Sequence, residues 1–183
     1  VTLACIPFAW LWMSPIQMKE FSQGLIAASL FSSNIFFWKK SDYFSAVSGE
    51  NPLIHTWSLA LEEQYYLFFP IMLYFLWRYG KNIVFWIIIL LLLISLFLSE
   101  WGWRNTSIAN FYLLPTRIWE LFAGSIAAFM VNNRGVQENN FWSLVGLSAI
   151  FYSIFTYDEL IPFPSFYTLL PVIGTVLLVL FAD

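Results

Sequence analysis

Charge is what this chain has least of. Only 10% of its 183 residues are charged, against roughly 25% in an ordinary soluble domain, so water is not its main solvent. The formal net charge of -3 is small and its eight Lys and Arg are scattered. That excludes the electrostatic footprint nucleic-acid binding needs. A single cysteine, Cys5, excludes an intramolecular disulfide, and no Cys/His cluster has the spacing of a metal site. No metal and no nucleic acid are therefore expected as partners. A basic region ahead of the first apolar run is also lacking, so a cleaved signal peptide is not expected.

What fills the chain instead is hydrocarbon: 60% hydrophobic residues, 21% aromatic, and a mean hydropathy of +0.73. Runs such as Ile83 to Leu98, interrupted only by Ser95, are too long for an ordinary strand. They predict an all-α, polytopic transmembrane bundle whose partner is the lipid bilayer. With roughly 17 to 25 residues per span, seven segments can be drawn, at about 1 to 16, 21 to 38, 53 to 77, 83 to 99, 111 to 131, 141 to 157 and 166 to 182. Breakers and polar residues separate them: Ser14-Pro15 with Lys19 and Glu20, Arg78 to Asn82, Glu100 to Asn110, and Asn132 to Asn140. Trp10, Trp12, Trp38, Tyr43, Trp77, Tyr79, Trp101 and Trp103 gather near the ends of the runs, where such rings favour the headgroup layer. Lys and Arg divide four against three between alternate loops, which sets no orientation. Residue 1 is Val and the last run stops at Asp183, so both ends are expected to be cuts inside a larger membrane domain.

One stretch is out of place in this setting. Asn51-Pro52-Leu53-Ile54-His55-Thr56-Trp57-Ser58-Leu59-Ala60-Leu61-Glu62-Glu63-Gln64-Tyr65-Tyr66 concentrates polar groups at the start of the third run. Asn51 suits an N-cap and Pro52 a first helical position, predicting a helix from here through Trp77. At 100° per residue Ser58, Glu62, Tyr66 and Phe69 fall within about 60° of His55, with Glu62 about 20° away and roughly 10 Å along the axis. Glu63 lies on the flank that holds Thr56. An ionised carboxylate facing lipid costs several kcal/mol, so both glutamates must be paired, protonated, at the interface or in a wet cavity. Headgroup-level pairing and a functional site both satisfy that requirement.

Further along, Pro115-Thr116-Arg117-Ile118-Trp119-Glu120 sets Arg117 three residues from Glu120. Two readings stand: a local ion pair, or an Arg117 turned inward to Glu62, Glu63 or an anionic ligand group. Asn34 is suited to hydrogen bonding across helices. Lys39 and Lys40 mark a helix end at the membrane surface, or contact a donor's phosphates.

These residues resemble a known pattern. Asn34 to Trp38, Tyr43-Phe44, Asn51 to Tyr66, Leu114 to Leu121, and Phe163-Pro164 through Gly174 are similar, in the same order, to the acyltransferase 3 family of membrane O-acyltransferases. The resemblance implies a multi-pass enzyme of the bacterial inner membrane. Such an enzyme moves an acyl group, commonly acetyl from acetyl-CoA, onto a hydroxyl of an envelope carbohydrate such as lipopolysaccharide O-antigen or peptidoglycan. Acyl-CoA is then a co-substrate, and no covalently bound cofactor is implied. The family's principal histidine and its partner arginine lie on a first helix to which nothing here corresponds, so residues 1–183 are expected to be a partial domain. Within them, His55 is assigned as a secondary acid/base or substrate-orienting group, Glu62 or Glu63 as its electrostatic partner, and Arg117 as a charge-balancing or phosphate-binding residue. Asn34, Ser58, Tyr66, Trp119 and Glu120 are assigned to substrate binding. The competing class is a proton-coupled transporter or channel, since intramembrane acids and bases also build relays; no repeated half supports it.

Overall fold

The computed structural model describes residues 2–41, 51–135, 137–158 and 160–182, and these are all-helical, with no strand among them. Tyr43 and Phe44, part of the resemblance, lie outside the described residues. The helices are α1 (Thr2–Trp12), α2 (Pro15–Ser29), α3 (Ser33–Ser41), α4 (Thr56–Leu76), α5 (Lys81–Asn105), α6 (Ser107–Tyr112), α7 (Ile118–Arg134), α8 (Asn140–Thr156) and α9 (Leu169–Phe181). The chain divides into two compact units: Val1–Phe69 with Tyr112–Leu114, and Pro70–Phe111 with Pro115–Asp183.

In the first unit two expected spans are broken into shorter helices. Residues 1 to 16 do not form one run, because Ser14 starts a new helix. Its hydroxyl accepts the Gln17 N–H while the Gln17 side chain accepts the Ser14 N–H, a capping box with Pro15 at the first helical position. Residues 21 to 38 are interrupted at Leu30 to Ser32. There Ser32 N–H donates to Ala27 O at 2.8 Å and Phe31 N–H to Ala28 O at 3.2 Å. This is a Schellman closure of α2 with Phe31 in the left-handed region at φ 53°. Glycine normally takes that position, and a Cβ there costs about 1–2 kcal/mol. Two residues later α3 starts, and its Lys40 reaches back to Glu20 on α2 at 2.9 Å. Phe21, Phe37, Ala9 and Leu53 form the buried core, with Trp57 and Tyr112 packed against it, ring to ring at 5.6 Å.

The second unit is built on α5. It is 25 residues long with a mean hydropathy of 2.7 over its most apolar stretch, long and apolar enough to cross a membrane. Only 28% of that stretch is buried. A core helix of a water-soluble protein buries most of an apolar surface of this kind, whereas Trp86, Leu90, Ile94 and Phe97 here stand more than half exposed. Among the described residues α5 alone meets both criteria; α8, with 17 residues, and the stretch Phe166–Phe181 are apolar but shorter. Residues Glu100 to Asn105 were expected in a connection and are helical instead. The Glu100–Arg104 pair, four residues apart, supports the last turns until Thr106 ends them. The α8 and α9 helices cross at Gly146 and Gly174, with α8 capped by Asn139, whose side chain accepts from Phe141 and Trp142 N–H.

Candidate active site

The polar stretch sits at the start of α4, but its first residues are not α-helical. Asn51 Oδ1 accepts the Leu53 N–H at 3.0 Å, as an N-cap does. The following bonds, however, run from Ile54 to Asn51, Thr56 to Leu53 and Trp57 to Ile54, each spanning three residues. The expected helix start at Asn51–Pro52 is thus corrected to Thr56, with a tight turn ahead of it. In such a turn each residue advances by about 120°, not 100°. His55 therefore lies off the angle calculated for a continuous helix, yet its side chain is exposed. Ser58 spends its hydroxyl proton on His55 O at 3.2 Å, closing the turn.

Within α4 proper, Ser58, Glu62 and Tyr66 repeat every four residues and all three are exposed, Tyr66 at 60%. Among the described residues Glu62 has no hydrogen-bond or ionic partner. Glu63 is half-buried, on the stripe that also carries Thr56 and Ala60. The two adjacent carboxylates so occupy different surroundings. Further on, Pro70 lies inside α4 and has no N–H to offer the carbonyl of Tyr66, four residues back.

Gln64 is committed to the fold. Its Nε2 donates to Phe31 O at 2.7 Å and to Asn34 Oδ1 at 2.9 Å, tying α4 to the break between α2 and α3. Asn34, 1% exposed, in turn donates to Tyr112 O at 3.1 Å. Ser33, fully buried, donates to Thr56 O at 2.8 Å. Asn34 thus carries the cross-helix hydrogen bonding expected of it. Gln64 and Ser33 were missed as parts of the arrangement. A lone amide inside an apolar helix was the available signal, because such a group must find a partner away from water.

In the second unit Arg117 is held from several sides. Its Nη2 lies 3.4 Å from Glu120 Oε2, so the local ion pair is present. The guanidinium also stands over the Phe163 ring at 4.6 Å and the Phe111 ring at 5.5 Å, and donates to Phe111 O at 3.4 Å. Glu120 Oε1 is buried and unpartnered among the described residues. Trp119 is 1% exposed and belongs to the core of this unit, its backbone N–H donating to the buried Ser95 hydroxyl at 3.2 Å. That hydroxyl donates to Pro115 O at 2.7 Å, which fixes the turn ahead of α7. Asn110, also buried, donates to Pro164 O at 2.9 Å, and among the described residues its Oδ1, which fills the space beside Gly102, accepts nothing.

An uncharacterized protein of Haemophilus influenzae (strain Rd) is 32% identical to this chain over 169 residues, covering 83% of the chain and 67% of that protein. The chain belongs to the family of that Haemophilus protein. Other relatives carry functional names. A Staphylococcus aureus (strain COL) protein named "Putative O-acetyltransferase" is 31% identical over 137 residues, 71% of this chain and 22% of its own length. The O-acetyltransferase OatA of S. aureus (strain NCTC 8325) is 35% identical over 119 residues, 63% of this chain and 19% of its own length. These are distant relatives, and the chain spans about a fifth of their length. Their names support an acetyltransferase-like family. No family model matches the chain, and no solved structure matches it.

Proposed function

We propose that this protein is a membrane O-acyltransferase of the acyltransferase 3 kind, a multi-pass protein of the bacterial inner membrane. It moves an acyl group, in the first instance acetyl, from acyl-CoA to a hydroxyl of an envelope carbohydrate. One observation carries the reading: a chain related to named O-acetyltransferases presents His55, Ser58 and Glu62 exposed at the head of an otherwise apolar helix, with the Glu62 carboxylate uncommitted among the described residues. An ionisable group left uncommitted in an apolar setting is a functional-site candidate by default.

The reaction forms a C–O bond between the sugar hydroxyl and the acyl carbon, and breaks the thioester C–S bond. A base must take the hydroxyl proton as the oxygen attacks, and the departing thiolate takes up a proton in its turn. His55 acts as a supporting acid/base for that transfer, and Glu62, roughly 10 Å along the axis, is its electrostatic partner, favouring the imidazolium that forms without touching it. Ser58 closes the turn that presents His55. Tyr66, one turn beyond Glu62 on the same exposed stripe, extends the wall against which the acceptor lies. Arg117, clamped by Glu120, Phe111 and Phe163, supplies fixed positive charge for an anionic group of the donor or acceptor. Asn34 and Trp119 contribute position, one by bonding the helix break and the other by filling the core.

The test is acylation in cells carrying the full-length protein, read as alkali-labile acetyl on envelope carbohydrate. Glu62→Gln keeps size and exposure, so membrane abundance stays the same, and acetylation falls at least tenfold. Unchanged acetylation in Glu62→Gln and in His55→Gln would remove both residues from the reaction.

A further inference from the structure

In the first unit a cleft of about 170 Å³ is lined by Ala28, Ser29 and Phe31 at the end of α2 and by Thr56, Leu59 and Ala60 at the start of α4. Its two hydroxyls are committed to the backbone: Ser29 donates to Leu25 O and Thr56 to Leu53 O, at 2.8 and 2.7 Å. What remains to line the space is mainly hydrocarbon. The walls are also tied together, by Gln64 on Phe31 O and by Ser33 on Thr56 O, so the cleft is a preformed feature and not a loose seam. One wall holds the left-handed Phe31, a backbone conformation that persists only where its surroundings impose it, and such positions cluster at ligand clamps.

Size and placement indicate an occupant. An apolar cavity of about 150 Å³ accepts a ligand as large as benzene; a whole lipid tail is several times larger. Thr56, Ala60 and Glu63 follow one another at helical spacing, so the stripe that forms the α4 wall leads to the half-buried carboxylate one turn on. The stripe of Ser58 and Glu62 runs beside it. We infer that this cleft seats the acyl group of a short-chain acyl donor, of up to about six carbons by the benzene comparison. The inference rests on the acyl-transfer reading and adds to it the place where the acyl chain is held and its length is measured.

The whole protein, reconstituted in phospholipid bilayers, is irradiated with one of two diazirine probes: a butyryl-CoA analogue modified on its acyl chain, or a phosphatidylcholine modified at the tail end. The donor probe labels peptides containing Ala28 to Phe31 and Thr56 to Ala60, and acetyl-CoA competes for the label. Ala28→Leu fills the cleft, lowering both the label and the butyryl-to-acetyl transfer ratio about tenfold. Leu59→Ala, at a position 54% exposed where truncation is readily tolerated, raises that ratio by a similar factor. Label from the lipid probe in the cleft with none from the donor probe would overturn the inference, as would an unchanged ratio in both variants while transfer continues. Donor label in the cleft with no acyl group on any carbohydrate would leave the seat standing and remove the transfer reading instead.

Discussion

Replacing Gly146 by Ala tests the closest helix approach in the second unit. A Cβ at Gly146 would stand 2.6 Å from Gly174 O, 3.0 Å from Leu177 Cβ and 3.3 Å from Leu178 N. Reciprocally, a Cβ at Gly174 would stand 2.7 Å from Gly146 O. Two of the three atoms against Gly146 are backbone, so no side chain can rotate away and α8 and α9 must separate. Overpacking of this kind costs about 1–3 kcal/mol. Against this, Ala gains about 1 kcal/mol over Gly in a helix interior. The expected net effect is a loss of up to about 2 kcal/mol. Gly124 on α7 is the matched control: a Cβ there meets nothing within 4 Å, so only the propensity gain applies and Gly124→Ala is neutral or stabilising by up to about 1 kcal/mol. Unfolding midpoints in mixed micelles of increasing SDS content provide the assay. Combining Gly146→Ala with Gly174→Ala should cost less than the sum of the two, since one separation accommodates both methyl groups. Equal midpoints for Gly146→Ala and Gly124→Ala would refute the close-approach reasoning.

Gln64→Leu keeps the bulk of the side chain and removes the donor to Phe31 O and Asn34 Oδ1; the same SDS titration should show a loss of about 1–3 kcal/mol from the groups left unpaired. Gln64→Glu, ionised, faces both acceptors with oxygen and should be at least as damaging, which a pure packing role would not produce. Ser95→Ala strands the buried Trp119 N–H and Pro115 O, and is expected to cost about 1–3 kcal/mol with a changed tryptophan emission spectrum. Arg117→Lys keeps the charge but loses the planar contact with Phe111 and Phe163. Acetylation should drop several-fold while Arg117→Ala abolishes it, and equal activity of Lys and Arg at this position would show that charge alone matters.

Helicity and a hydrophobic setting were legible in the sequence because they depend on composition and run length, which no tertiary contact alters. Helix ends were less so. The end of α2 is written with Phe31 where the usual signal is glycine, so nothing in Ser29 to Ser33 announces a stop and the run reads as a single span. The break persists because distant groups hold it: Gln64 on one side and Asn34 with Tyr112 behind it, pairs separated by 30 and 78 residues. The start of α4 was misplaced by four residues for the opposite reason. Asn51 does accept an N–H as an N-cap would, but the turn it opens stays three-residue in its bonding until Thr56. The Arg117–Glu120 pair, by contrast, is local in sequence and was open to direct reading at its spacing.

A run of polar residues in an apolar helix invites a single functional label, and the geometry divides the run into two kinds. Asn34 and Gln64 meet each other, a backbone carbonyl of the helix break and the carbonyl of Tyr112, so their hydrogen-bonding capacity is largely used in holding the fold. His55 and Glu62 face outward, and Glu62 has no partner among the described residues. A group already bound within the protein has little left with which to bind or deprotonate a substrate; one held exposed, at a cost in an apolar setting, has all of it. On that ground substitutions at Asn34 or Gln64 should reduce activity only in proportion to lost stability. Substitutions at Glu62 should reduce activity with stability unchanged. Plotting acetylation against unfolding midpoint for the four conservative variants Asn34→Asp, Gln64→Glu, His55→Gln and Glu62→Gln separates the two kinds. If all four fell on one line, activity would be following stability alone and the division would be wrong.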